Sequence, residues 1–213
     1  MNISPSEQNG LKLLTPKDET IYSIGISTAG IAELEMVKNH NRRKVIATTI
    51  DQKGAAFATD FIAKNNKTSQ IEVKIEDISK LLPYPNNYFD FIYARLVLHY
   101  LSKDVLDKTL LEIKRVLKKG KSLYIVVRST KCYDANVQNA TFDVTTGLTT
   151  YQLENNKPSS RYFHTEETIS KHIIKSKLKL KYIKSNSEQL FTNFMRTVKS
   201  DNFDELIELV AVK

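Results

Sequence analysis

Short apolar runs alternate with longer amphipathic stretches along the first part of the chain. Five runs are rich in β-branched and aromatic residues and predict strands: residues 20–24, 44–51, 70–77, 89–94 and 122–129. The second and fifth of these are expected to be buried. Between the last two runs, Leu106, Leu110 and Ile113 fall on one helical stripe, and Gly120 is expected to end that helix in a left-handed cap. Strands that alternate with helices predict an α/β fold with a mostly parallel sheet.

The pattern changes after residue 129. Residues 135–160 are rich in threonine and aromatic side chains around Gly147, and they predict a hairpin inserted over the edge of the sheet. Thr165 is the expected N-cap of a further helix. An apolar run from Phe203 onward predicts the closing strand.

Composition is typical of one globular domain, with 213 residues, 41% hydrophobic and 26% charged. We expect residues 1–19 to form a loosely structured leader and residues 20–213 to form the single domain. No apolar stretch approaches the length of a membrane span, and the first residues are too polar for a signal peptide. The single cysteine, Cys132, has no partner for an internal disulfide, so we expect a reducing, cytoplasmic location. The four histidines are scattered, and no metal site is expected.

The net charge of +8 is unevenly distributed. Residues 1–113 carry 14 basic and 14 acidic side chains, whereas residues 114–213 carry 18 and 10. A basic half is compatible with an RNA partner. The alternation of Lys177, Lys179 and Lys181 with apolar residues instead favours an edge strand whose lysines prevent pairing with another chain. We therefore expect a small-molecule partner and no nucleic acid.

The first strand is followed by a turn of small residues, GISTAG, from Gly25 to Gly30. A dinucleotide fold requires G-x-G-x-x-G, but Ser27 takes the position where a pyrophosphate needs bare backbone. A hydrolase elbow, G-x-S-x-G, is nearly matched, but only one strand precedes it, too few to supply an oxyanion hole. S-adenosylmethionine has no pyrophosphate, so small residues suffice along the same turn.

A longer motif favours the third possibility. The segment LPYPNNYFDFIYARLVLHYLSKDVLDKTLLEIKRVLKKGKSLYIVVRS resembles the class I S-adenosylmethionine-dependent methyltransferase family, over roughly residues 20–130 with the strand order included. The resemblance implies a Rossmann-like three-layer sandwich around a seven-stranded, mostly parallel sheet whose last strand is antiparallel. It also implies S-adenosylmethionine as cofactor and a methyltransferase activity.

The family pattern identifies candidate cofactor-binding residues. Asp51 matches the acid that binds both ribose hydroxyls, although it could equally cap the following helix. Asp77 matches the acid near the adenine amino group, with a turn or cap role as the alternative. Ser23 stands where the family has an acid that holds the amino end of the cofactor. The remaining candidates lie in the glycine-rich loop or beside the adenine and methionine parts: Gly25, Ser27, Ala29, Ile78, Ala94 and Arg95.

The methyl acceptor is not identified by any motif. Methyl transfer depends mainly on alignment, so a base is needed only for a protonated acceptor. His99, after the fourth strand, is the candidate catalytic base, and packing at a helix start is its alternative role. Further candidates for the acceptor pocket are Tyr100, Arg128, Tyr133 and Tyr151. A small or medium-sized metabolite is the expected acceptor; RNA, protein or a non-catalytic binding role are the alternatives.

Overall fold

A seven-stranded sheet forms the centre of the computed structural model, which describes residues 3–26, 30–152, 157–193 and 196–213. Its strands are β1 (Thr20–Ile24), β2 (Lys44–Thr49), β3 (Ile71–Ile75), β4 (Phe89–Arg95), β5 (Leu117–Arg128), β9 (Lys179–Glu188) and β10 (Asp204–Val212). They lie in the order β3–β2–β1–β4–β5–β10–β9. The pairs from β3 to β5 are parallel, and β10 is antiparallel to both β5 and β9. The predicted fold class is confirmed.

Helices cover both faces of this sheet. They are α1 (Pro5–Leu11), α2 (Ile31–Val37), α3 (Gln52–Lys64), α4 (Lys103–Val116) and α5 (Glu166–Lys175). Met36 of α2 and Ile62 of α3 belong to the core on one face, and Leu110 of α4 and Ile173 of α5 belong to the core on the other. Thr165 caps α5 as predicted, because its side chain accepts a hydrogen bond from the Thr168 N–H.

The prediction that Gly120 ends α4 is wrong. The helix ends at Val116, and Leu117 already has extended φ and ψ of −73° and 136°. Gly120 does have a positive φ of +73°, but it lies inside β5 and its N–H donates to the Lys213 carbonyl. Its left-handed conformation accommodates an irregularity in which the register of β5 against β4 shifts between Phe89 and Phe91.

Residues after β5 build a second, smaller sheet. Its strands are β6 (Thr141–Phe142), β7 (Thr149–Gln152) and β8 (Pro158–Arg161), and both pairs are antiparallel. Gly147 turns the chain between β6 and β7 with a φ of +74°, and a Cβ there would lie 3.2 Å from the Tyr162 ring. The sequence indicated the hairpin but not β8.

The first residues are packed against the central sheet. Gly10 of α1 lies so close to β4 and β5 that a Cβ would come within 2.6 Å of the rings of Tyr93 and Tyr124. Only a glycine allows the helix to approach the sheet in this way. The proposed boundary between a leader and a domain at residue 20 stays a prediction. No helix among the described residues is long and apolar enough to cross a membrane.

Candidate functional site

The carboxyl ends of β3, β2, β1 and β4 are level with one another. Ile24 pairs with Thr48 of β2 and Ala94 of β4, and Thr49 pairs with Ile75 of β3. Gly25, Asp51 and Asp77, which come after their strands, and Arg95, which ends β4, therefore lie along one edge of the sheet. Ligands of open α/β sheets bind beyond this edge.

Gly25 opens the turn after β1. Its φ is +74°, and a Cβ would lie 2.7 Å from the Cβ of Val97, which follows β4. Glycine is required here both by the backbone conformation and by this close approach. Ser27 and Ala29, the next predicted cofactor-binding residues, lie outside the described residues.

Ser23 is fully buried at the position where the resemblance places an acid. Its hydroxyl donates a hydrogen bond of 2.5 Å to Oε1 of Glu33, which is also fully buried, in the first turn of α2. A carboxylate thus reaches this position from the helix instead of the strand. Glu33 is absent from the predicted site, although a carboxylate on the apolar face that includes Met36 is a signal that could have identified it.

Asp51 is exposed and is the N-cap of α3. Its Oδ1 accepts a hydrogen bond of 3.1 Å from the Lys53 N–H. Gly54 leaves room for the other oxygen, because a Cβ there would lie 2.8 Å from Asp51 Oδ2. Asp51 therefore caps α3 through Oδ1, and its Oδ2 takes no part in that hydrogen bond.

Asp77 and Ile78 follow β3. The Asp77 side chain is exposed, and its Oδ1 accepts a hydrogen bond of 2.9 Å from the Ser79 N–H. The hydrogen bonds from Ser79 lower the pKa of Asp77, so the side chain is ionised at neutral pH. Ile78 is buried in the core.

A second carboxylate, Glu76, lies beside them at the end of β3. It accepts hydrogen bonds from the hydroxyls of Tyr22 and Tyr84, the latter at 2.9 Å. Burial, followed by the contact with Glu76, raises the pKa of both tyrosines, which stay protonated. Glu76 is therefore a structural anchor for β1 and the loop after β3.

Arg95 is held by protein side chains. Its Nη2 lies 2.6 Å from Oε1 of Glu188, its Nε donates to Ser6, and Nη1 lies 3.8 Å from Oε1 of Glu7. Arg196 also binds Glu7. These contacts join α1, β4, the end of β9 and the segment after it. Arg95 as a cofactor ligand stays a prediction, and its guanidinium is engaged in this network.

His99 lies in a short helical turn after β4 and is 1% exposed. Its carbonyl accepts a hydrogen bond of 2.7 Å from the N–H of Tyr162, so the small sheet covers it. Burial, and then the charges of Arg128 and Arg161, hold the pKa of His99 well below its usual value. The side chain is a weak, enclosed base. These facts favour the packing role, and catalysis by His99 stays a prediction.

Two further histidines lie behind the small sheet. His164 is fully buried and its ring centroid is 4.1 Å from that of Tyr162. His172 of α5 binds Asp107 of α4 at 2.6 Å through Nδ1 and the Tyr162 hydroxyl at 3.1 Å through Nε2. This chain of contacts fixes α5, α4 and the small sheet together. Among the described residues, no group of three or more side chains could hold a metal ion.

A cavity of about 1060 Å³ opens beyond the carboxyl end of β5. It is bounded by the short helical turn Tyr133–Asn136 and by the segment that leads into β10. Arg128 and Tyr133, two of the predicted pocket residues, line it. Tyr151 is 1% exposed and supports the wall from behind, since its hydroxyl donates to Asp134 at 3.0 Å. Tyr100 is 54% exposed and does not line the cavity.

Comparison with known proteins identifies this architecture. The family model described as "Methyltransferase domain" matches residues 23–125, and no curated protein sequence matches. A SAM-dependent methyltransferase from Methanosarcina mazei superposes with a TM-score of 0.74 at 18% identity, covering 100% of this chain and 99% of that one. A putative S-adenosylmethionine-dependent methyltransferase from Listeria monocytogenes gives 0.72 at 13% identity, with 98% of each chain covered. Geranyl diphosphate methyltransferase in complex with SAM gives 0.67 at 12%, covering 97% and 83%.

The sheet order, the antiparallel β10 and these matches define an α/β methyltransferase fold. The chain has the class I methyltransferase fold, and its residues 23–125 match a methyltransferase-domain family model.

Proposed function

We propose that the protein binds S-adenosylmethionine and transfers its methyl group to a small or medium-sized metabolite. The observation that carries the proposal is the row of carboxylates at the level edge of the sheet, with Asp51 and Asp77 beside the Gly25 turn. A carboxylate offers two acceptors to the vicinal hydroxyls of a ribose, and charge-assisted hydrogen bonds are the strong kind.

Glu33 completes the fit to this cofactor. An ammonium group needs an anionic partner, and Glu33 provides one beside the turn, steadied by the Ser23 hydroxyl. In this proposal Asp51 holds the ribose, Asp77 and the Ile78 N–H face the adenine, and Ala94 lies near the methionine part. Bound S-adenosylmethionine supplies an electrophilic methyl group on a sulfonium. The protein's task is alignment and exclusion of water.

Calorimetry with S-adenosylmethionine and S-adenosylhomocysteine tests this function. Binding of both is expected, and no heat with either at millimolar concentration would overturn it. A structure of the same fold, geranyl diphosphate methyltransferase, is in complex with the small molecule GPP, which supports a metabolite as acceptor. A cytoplasmic location is proposed because the single cysteine, Cys132, is a free thiol with no partner for an internal disulfide, which suits a reducing compartment.

A further inference from the structure

We infer that the cavity beyond β5 binds a neutral, polyhydroxylated methyl acceptor, a sugar or glycoside, with its rim carboxamides and the Tyr133 ring. This inference rests on the proposed methyltransferase function and adds the class of acceptor. Its evidence is the chemistry of the side chains that line the cavity.

The charges on the cavity floor neutralise one another. Arg128 forms ion pairs with Asp134, at 3.2 Å, and with Asp204. Asp134 forms a second ion pair with Arg161 at 2.8 Å. Two guanidinium groups thus face two carboxylates. On the rim, Lys199 is balanced by Asp201. The lining residues themselves carry two cations and three carboxylates, and Arg161, which does not line the cavity, brings the sum to zero through its ion pair with Asp134. The cavity therefore has little excess charge with which to select a strongly anionic or cationic ligand.

Carboxamides dominate the remaining polar surface. Gln138, Asn139, Gln152 and Asn202 line the cavity and are all exposed. Each carboxamide offers donors and an acceptor, which match a sugar hydroxyl that both donates and accepts. Among the described lining residues, only Val137 and Val198 are aliphatic, so a long apolar chain would find little cover.

Tyr133 supplies a flat apolar face. It is 64% exposed and lies on the helical turn that Asp134 fixes to β5, β7 and β8. The C–H face of a pyranose can pack on such a ring while its hydroxyls bind the carboxamides. The Asp134 contacts fix the backbone that carries this ring before the ligand arrives, which reduces the ordering cost of binding.

The distance to the cofactor edge suits an acceptor of this size. β5 lies two strands from β1 in the sheet, or about 10 Å at the usual strand spacing. The volume of about 1060 Å³ exceeds that needed for one monosaccharide and admits a larger glycoside.

In the transfer, a sugar hydroxyl oxygen forms a bond to the methyl carbon while the carbon–sulfur bond breaks and leaves its electron pair on sulfur. The hydroxyl proton passes to the carboxylate of Asp204, which lines the cavity. Burial raises the pKa of Asp204 despite the neighbouring Arg128, which makes it a stronger proton acceptor than an exposed aspartate.

Saturation-transfer NMR on the full chain with S-adenosylhomocysteine present tests the site. The probes are methyl glycosides of glucose, galactose, mannose and xylose with their disaccharides, against geranyl diphosphate and a short RNA. At least one glycoside is expected to bind, and the double variant Asn139→Ala/Gln152→Ala should weaken it about tenfold. Asn41→Ala, an exposed carboxamide far from the cavity, is the matched control and should leave the affinity unchanged.

The outcomes separate the two proposals. If the protein binds S-adenosylhomocysteine but no glycoside, or if geranyl diphosphate or RNA occupies the cavity, the acceptor class is wrong and the methyltransferase function stands. An equal loss of glycoside affinity in Asn41→Ala would also overturn the site. If glycosides bind while both cofactor forms fail, the cavity assignment stands and the methyltransferase function is what fails.

Discussion

The hydroxyl of Ser23 on β1 and the carboxylate of Glu33 on α2 form one buried unit, joined by a hydrogen bond of 2.5 Å. A strand residue whose hydroxyl does not ionise is thereby paired with a helix residue that has a carboxyl group. Under the proposed function, this pair places a carboxylate beside the turn that follows β1.

Replacement of the Glu33 carboxylate should weaken the binding of S-adenosylmethionine. Glu33→Gln keeps the shape and a hydrogen-bond acceptor but removes the charge, so affinity for S-adenosylmethionine should fall about tenfold or more. The exchange Ser23→Asp/Glu33→Ala moves the carboxylate to the strand and should recover most of the loss. Glu35→Gln is the control, because Glu35 lies two residues further along α2 and is half-buried. Titration calorimetry measures all four proteins, and equal affinities would remove Glu33 from the site.

Asp51 should show two separable effects. Asp51→Ala removes both the helix cap and the charge, so unfolding free energy should fall by about 1 kcal/mol and cofactor affinity about ten- to several-hundredfold. Asp51→Asn keeps a good N-cap and should lower the affinity while leaving stability nearly intact. Asp60→Asn, exposed on the same helix, should change neither. A folded Asp51→Ala variant with unchanged affinity would show that Asp51 is a cap alone.

The strands were predictable because each is a short run of strand-forming residues with a clear boundary, including β3 at the sheet edge, where only Ile71 is buried. β1 matches its predicted residues, and β2 and β3 begin and end within two residues of theirs. The prediction that Gly120 ends α4 was wrong because a glycine with positive φ occurs at strand irregularities as well as at helix ends. The contact of Glu33 with Ser23, and that of His172 with Asp107 across 65 residues, depend on how the helices pack in three dimensions. That information is tertiary, so residue patterns alone do not contain it.

The buried ion network around Glu7 should make stability depend on acid. Burial alone would raise the pKa of Glu7, but the hydrogen bond from Arg196 and the charges of Arg95 and Arg196 outweigh it and lower the pKa from 4.5 to about 2. The stabilisation, about 3 kcal/mol, is present above pH 4.5 and is lost as the pH falls towards 2. Denaturant titrations should show this slope in the wild type and not in Glu7→Gln. An unchanged slope would exclude Glu7 as its source.

His164 should add a second acid-sensitive contribution. Burial, and then the neighbouring His172, lower the pKa of His164 to about 3 from 6.5. Between pH 6.5 and 3 the unfolded chain binds a proton at His164 that the native state does not bind. The free energy of unfolding is therefore highest above pH 6.5 and decreases as the pH falls towards 3. His164→Gln should reduce the slope near pH 5 by about 1.4 kcal/mol per pH unit. The experiment is urea unfolding across this range, and identical slopes would place the proton elsewhere.

The lysines of the last-but-one strand should not bind RNA. Lys179 and Lys181 are exposed on β9, and Lys177 is exposed just before it, at the edge of the sheet. β9 lies four strands from β1, about 20 Å at the usual spacing, so a nucleic acid would have to span that distance to reach the cofactor edge. RNA contacted by four lysines would lose affinity with a log–log salt slope of about −3. Filter binding at physiological salt is expected to show weak association that a triple replacement by glutamine leaves unchanged. Submicromolar affinity that this replacement abolishes would instead make RNA the substrate.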